Sequence, residues 1–296
     1  MCVYSRFRNR NSVLSVVAVL TFTASMLIAC ASHTEENMFI PEGYELLWSD
    51  EFEGDSLNSA YWTPEQGGHG WGNRELQYYT GRKDNVEVRD GKLVIRAVRE
   101  YYNGAPVTSA RLITLGKVEF LYGYVVASIK LPKTADGLWP AFWMMGTDIG
   151  TIGWPNCGET DILEMGHSNG MKNNTQERFL NGACHWGVPH HQYYAHDITN
   201  EYSVQDGEFH TFTCVWDEEH VAMYIDLEKY PDVKPYFEMK IDDFGNGEFL
   251  KENFLLLNLA VGGNFPGIWD IDEVTAIQSG SAEMEVDYVR VFQKIK

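Results

Sequence analysis

From Pro41 to the C-terminus, apolar residues recur in short runs of period two, broken every few positions by turn-forming residues. Alternate side chains of a strand point to opposite faces, so this spacing predicts half-buried strands rather than helices. Val86-Glu87-Val88, then Asp90-Gly91, then Lys92 to Val98 reads as strand, turn and strand. Val118 to Leu131 alternates around Gly123, where a bulge or a close backbone approach is expected. Thr211 to Trp216 and Val221 to Ile225 read as a hairpin, Phe254 to Val261 as a buried strand, and Glu283 to Phe292 alternates to the end. No stretch sustains an i, i+3, i+4, i+7 apolar pattern for three turns. The pattern predicts an all-β fold, most simply a sandwich of two antiparallel sheets. No linker, repeat or charge run interrupts residues 41–296, which are read as a single domain.

The amino-terminal segment has a different pattern. Arg6, Arg8 and Arg10 precede an apolar stretch from Val13 to Ala29, diluted by Ser and Thr. Its 17 residues fall short of the ~20 that a transmembrane helix needs. Leu27-Ile28-Ala29-Cys30 resembles a bacterial lipobox, so residues 1–29 are expected to be a lipoprotein signal peptide, with Cys30 lipidated and 30–40 a polar tether. On that reading the protein is exported and anchored to the cell envelope, through the outer membrane, facing the periplasm or the cell surface.

Composition narrows the partners. The 296 residues hold 42 Asp and Glu against 23 Lys and Arg, a net charge of −19, and removing residues 1–29, which carry three Arg and no acid, deepens it to −22. Nucleic acid and anionic lipid faces both require clustered positive charge, so neither is expected as the main partner. Hydrophobic residues make up 44% and aromatics 14%, nine of them Trp, which suits a β-rich fold that binds something flat. After the signal and Cys30, Cys157, Cys184 and Cys214 remain, with no spacing that suggests a framework or metal site; three buried thiols are expected.

The chemistry concentrates in Glu159-Thr160-Asp161-Ile162-Leu163-Glu164. On a strand, Glu159 and Asp161 share a face, and Glu164 has the wrong parity. Two consecutive apolar residues, Ile162 and Leu163, stand where one is due, and a β-bulge there returns Glu164 to the face of the other two. Such a trio could be a solvated acidic face, a calcium site, or a pair of working carboxyls with separated pKa values. Like charges side by side weaken a sheet, and the flanks (Trp139, Phe142, Trp143, Met144, Met145, Trp154) are apolar and aromatic, which favours the third.

Glu159-x-Asp161-x-x-Glu164 resembles the bulged catalytic signature of glycoside hydrolase family 16, as found in laminarinases, agarases and carrageenases. Further segments are similar in order: Trp48 to Phe52, Gly70 to Tyr79, Ser109-Ala110-Arg111, Gly137 to Met144, His185-Trp186, Asn258 to Asn264 and Val286 to Val291. The resemblance implies a β-jelly roll with a catalytic cleft on its concave sheet. It implies Glu159 as nucleophile, Glu164 as acid/base and Asp161 as the assisting residue between them, with no cofactor for catalysis. It further implies Asn73, Arg111 and His185 as hydrogen-bonding residues and Trp139 and Trp143 as sugar platforms, with Trp71, Trp186 and Glu75 as weaker candidates. A structural Ca²⁺ away from the chemistry is implied at Asp287, Glu53 and the Gly91 carbonyl, and the enzyme is expected to be a monomer.

The expected substrate is β-1,3-glucan or mixed-linkage β-glucan, cleaved internally. Departures from the laminarinase pattern are Thr160, Phe265, the insertion from Met165 to Leu180 and the stretch Pro189 to Tyr194, which could reshape the outer subsites. They leave an endo-β-galactosidase acting on poly-N-acetyllactosamine of mucin-type glycans as the alternative. A non-catalytic surface glycan-binding lipoprotein is the remote one.

Overall fold

The period-two pattern is realised almost throughout a computed structural model that describes residues 38–187, 190–241 and 245–296. The signal, the lipid site at Cys30 and most of the 30–40 tether lie outside the described residues, as does Pro189. Two sheets form from Pro41 onward. In spatial order the first contains β16 (Phe237–Lys240), β15 (His220–Ile225), β14 (His210–Trp216), β9 (Gly123–Lys130), β18 (Ser281–Lys294), β5 (Lys92–Val98), β6 (Val107–Ser109) and β3 (Gln77–Tyr79). Off this path, β1 (Tyr44–Asp50) pairs with β18 and β4 (Val86–Arg89) with β5.

The second sheet runs β13 (Gln192–Thr199), β12 (Phe179–Trp186), β11 (Glu159–Met165), β10 (Leu138–Gly146), β17 (Asn253–Val261), β7 (Arg111–Ile113) and β2 (Thr63–Pro64), with β8 (Glu119–Phe120) beside β17. Strand pairs are antiparallel, apart from the parallel β3 and β6. Helices among the described residues are single turns, α1 (Ile149–Ile152) and α2 (Ser168–Lys172), plus short 3₁₀ segments. None is long and apolar enough to cross a membrane.

The inner faces of the two sheets bury one continuous core. Val125, Ala127 and Ile129 of β9 meet Leu255, Leu257 and Leu259 of β17, all with no exposed surface. β17 is buried on both faces, because Phe254 and Leu256 join a smaller cluster with Ala141, Trp143, Met145 and Cys157 on the opposite side. Cys157, Cys184 and Cys214 are buried free thiols. Gly123 is the expected close approach: a Cβ there would lie 2.7 Å from the Phe292 carbonyl oxygen, at a φ of +151° that side chains rarely adopt.

Candidate active site

The bulge anticipated at Ile162-Leu163 is present. Against β10, Phe142 pairs with Leu163 and Trp143 with Asp161, so Ile162 is the extra residue. Against β12 the register shifts between Asp161 and Glu164. Ile162 and Leu163 both enter the core, while Glu159, Asp161 and Glu164 line one cleft. A bulge leaves one backbone group outside the ladder. Here the buried Tyr236 hydroxyl donates to the Ile162 carbonyl, capping that group from the opposite side of the core. Beyond the strand, Gly166 lets the chain turn against β10, where a Cβ would fall 1.9 Å from the Leu138 carbonyl oxygen.

The cleft has a volume of about 680 Å³ and is walled by aromatic rings. Trp139 Nε1 donates to Glu164 Oε1 at 2.9 Å and its ring stacks on Phe265, with centroids 4.6 Å apart and planes 10° from parallel. Trp154 Nε1 donates to Glu159 Oε2 at 3.1 Å from the opposite rim. His185 Nε2 stands 3.4 Å from Asp161 Oδ2 and 3.9 Å from Glu159 Oε1. Arg111 lies between two indoles, its guanidinium 4.7 Å from both Trp71 and Trp143, and pairs with Glu65 at 2.6 Å.

Desolvation dominates the electrostatics, because burial of the carboxyls on β11 penalises their charged forms more than any neighbouring group does. Burial and the charge of Asp161 push Glu159 up to about 8, while His185, Arg111 and the Trp154 N–H pull it down. Burial also raises Asp161. Burial, Asp161 and Glu159 hold Glu164 well above the ordinary carboxyl range, opposed by the Trp139 N–H and by His185. Of the two flanking carboxyls, Glu159 therefore has both Arg111 and His185 favouring its ionisation and Glu164 has His185 without Arg111. Such a pair can present one carboxylate and one carboxylic acid at the same pH.

The sequence-predicted residues Asn73, Arg111, Trp139, Trp143 and His185 all line this cleft with the three carboxyls. Trp143 is nearly buried and donates to Asn258 Oδ1 at 2.7 Å, so it forms floor as much as platform. Glu75 also faces the cleft rather than bulk water, accepting hydrogen bonds from Gln77, Tyr79 and Asn73. Trp186 is corrected: its parity is opposite to His185, and it packs in the core against Phe249. Asp287, Glu53 and Gly91 belong elsewhere, around the first sheet. Asp287 sits at a bulge of β18 against β9, Glu53 follows β1, and Gly91 is in the β4–β5 turn. Two carboxylates and a carbonyl are hard oxygen donors that suit Ca²⁺.

Asn258 carries no role from the sequence alone, although an amide within the otherwise apolar run from Phe254 to Val261 is a usable signal. From the sequence Trp154 is only an aromatic flank and Asn181 has no role, while His167, His191 and Tyr193 fall within the segments expected to reshape the outer subsites; all five line the cleft. Among the described residues, Glu159, Asp161 and His185 are also the one set of His, Cys, Asp or Glu that could seat a metal ion, with donor atoms within 4.8 Å of one another.

A family model for glycosyl hydrolases family 16 matches residues 73–250. The β-glucanase of Rhodothermus marinus is 32% identical over 93% of this chain and 94% of its own. The clotting factor G alpha subunit of Tachypleus tridentatus is 36% identical over 89% of this chain, which spans only 35% of that relative. A keratan-sulfate endo-1,4-β-galactosidase of Sphingobacterium multivorum is 27% identical over 84% of this chain and 55% of its own. Among solved structures, a Bacteroides ovatus enzyme of a mixed-linkage glucan locus, in complex with a G4G4G3G product, is 37% identical with a TM-score of 0.74, covering 83% of this chain and all of that one. The catalytic domain of an endo-1,3-β-glucanase from Thermotoga petrophila is 34% identical with a TM-score of 0.71, covering 86% of this chain and all of its own.

Proposed function

This chain belongs to glycosyl hydrolases family 16, and on that premise we propose that it is an endo-acting, retaining hydrolase of β-1,3-glucan or mixed-linkage β-glucan. One observation carries the reading: three carboxyls brought by a bulge to one face of β11, inside an indole-walled cleft. In the first step the Glu159 carboxylate attacks the anomeric carbon, the glycosidic C–O bond breaks, and Glu164 gives its proton to the departing oxygen. In the second, the Glu164 carboxylate takes a proton from water, the water oxygen bonds to the anomeric carbon, and Glu159 leaves. The configuration is retained. Asp161, between them and 3.4 Å from His185, tunes the charge that the two exchange.

Similarity favours a glucan over a galactan. The β-glucanase and the mixed-linkage glucan enzyme are 32% and 37% identical to this chain, the keratan-sulfate galactosidase 27%. A binding module would not need the full Glu159, Asp161 and Glu164 set, which favours turnover. The enzyme is proposed to act as a monomer on a polysaccharide, tethered to the outer membrane by lipid on Cys30, with a structural Ca²⁺ at Asp287, Glu53 and Gly91. Detergent-phase partitioning that disappears in Cys30→Ser tests the anchor.

The functional test incubates the protein with laminarin, barley β-glucan, agarose and a poly-N-acetyllactosamine chain, and sizes the products. A ladder from laminarin or barley β-glucan is expected. Glu159→Gln should stop its formation while oligosaccharide binding persists. A ladder from the galactose-containing polymers alone would move the substrate to galactans, and no ladder from any polymer would overturn the hydrolase.

A further inference from the structure

Strand β13 ends the second sheet, and all of its residues except Ile198 are exposed. Register ties it to the chemistry two strands away. Glu159 lies opposite His185, which lies opposite Tyr193; Asp161 opposite Ala183, then Ala195; Glu164 opposite Asn181, then Asp197. Each carboxyl thus starts a row that crosses β12 and finishes on one face of β13, at Tyr193, Ala195 and Asp197. Tyr193, Ala195, Ala183 and Asn181 share the cleft of the three carboxyls.

The three rows differ in chemistry. The first is aromatic: Tyr193 stacks on His185, with centroids 5.8 Å apart and planes 23° from parallel, and His191 joins both rings. The third is polar, with Asn181 Nδ2 donating to Asp197 Oδ1 at 2.6 Å. Between them the second carries only methyl groups, so the floor drops. A trough with one aromatic and one amide–carboxylate bank matches a pyranose, which has an apolar C–H face and a rim of hydroxyls. Tyr193 is 66% exposed, an aromatic surface that a stacked ring would cover. Asn73 and Arg111 occupy the opposite end of the cleft, beside β17 and β7.

We propose that this trough is an added glycan subsite that takes one hexopyranose ring of the substrate chain, with Tyr193 as its stacking platform and Asn181 and Asp197 binding its hydroxyls; the assignment rests on the β-glucanase reading above. It extends the grip of the enzyme past His185, and its platform Tyr193 lies in the segment where the sequence departs from the laminarinase pattern. The substrate it favours is a longer chain.

The test compares kcat/KM on a series of β-1,3- and mixed-linked gluco-oligosaccharides of increasing length, for the wild type and for Tyr193→Ala, Asp197→Ala and Ala195→Leu. The last fills the trough without removing a polar group. In the wild type kcat/KM should climb with length, and in each variant the gain from the sugar that reaches the trough should fall about tenfold, through a lost stacking contact in Tyr193→Ala, a lost hydrogen bond in Asp197→Ala and a blocked trough in Ala195→Leu. Thermal melting of each variant confirms folding, the substituted positions being exposed. Unaltered length dependence in folded variants would overturn the subsite and leave the hydrolase standing. A wild type that cleaves no oligosaccharide at any length would overturn both.

Discussion

Two indole N–H groups, one on each flanking carboxyl, allow the acid and the nucleophile to be told apart by pH. Trp139→Phe keeps a ring against Phe265 and removes the 2.9 Å hydrogen bond to Glu164. That bond favours the charged form, so its loss raises the Glu164 pKa further. A hydrogen bond to a charged group contributes about 1.5–3 kcal/mol, and one pKa unit is about 1.4 kcal/mol, so the shift should be about one to two units. Trp154→Phe removes the 3.1 Å bond to Glu159 and raises that carboxyl instead. Trp154 is 48% exposed, where water replaces much of the lost bond, so about half a unit is expected. The assay is kcat/KM against pH on one soluble oligosaccharide. Its alkaline limb reports loss of the proton from the acid, and its acid limb reports protonation of the nucleophile. Trp139→Phe should move the alkaline limb up and Trp154→Phe the acid limb up. The same limb moving in both variants, or each moving the limb assigned to the other, would refute the division of roles between Glu159 and Glu164.

The remaining expectations concern stability and support. Tyr236→Phe leaves the buried Ile162 carbonyl without its donor, which should cost about 1–3 kcal/mol in denaturant unfolding and lower kcat through a shifted Glu164. His210 is held between Asp226 at 2.8 Å and Asp206 at 3.1 Å; burial lowers its pKa, but the two carboxylates outweigh burial and the net shift is upward. Its contribution to stability is therefore complete below the unfolded His pKa of about 6.5 and is lost as pH rises through the folded value, so a melting-temperature decline above neutrality should flatten in His210→Gln. Gly123→Ala drives a Cβ against the Phe292 carbonyl and should destabilise by on the order of 2–3 kcal/mol, read by thermal melting. Added Ca²⁺ should raise the melting temperature of the wild type and leave Asp287→Ala unmoved.

Much of the fold was legible because strand parity is a local property. The β4–β5 turn at Asp90-Gly91 and the β14–β15 hairpin follow from residues a few positions apart, and Gly123 stands out within its own alternating run, although the Phe292 carbonyl that crowds it is far along the chain. The bulge in β11 was legible for the same reason: two apolar residues stood where one was due, and both needed the core. Trp186 was misread because a motif, His185-Trp186, was taken as a unit although adjacent strand residues face opposite ways. The cap on the bulge was invisible, since Tyr236 lies 74 residues from Ile162 and nothing near either names the other.

The roles of Glu159 and Glu164 show where local reading ends. Within the hexamer the two glutamates flank Asp161 almost symmetrically, and no spacing tells acid from nucleophile; that assignment came from resemblance. The asymmetry comes from other strands. β12 sets His185 opposite Glu159 and β7 contributes Arg111, while the row of Glu164 crosses to Asn181 and then Asp197. Arg111 and His185 at one end and an amide beside a further carboxylate at the other separate two chemically identical side chains. The row pattern also explains why β13 belongs to the site at all. The positions of that strand that share the carboxyls' face are fixed by the register that pairs β11, β12 and β13, and so Tyr193 and Ala195 line the same cleft as the reaction.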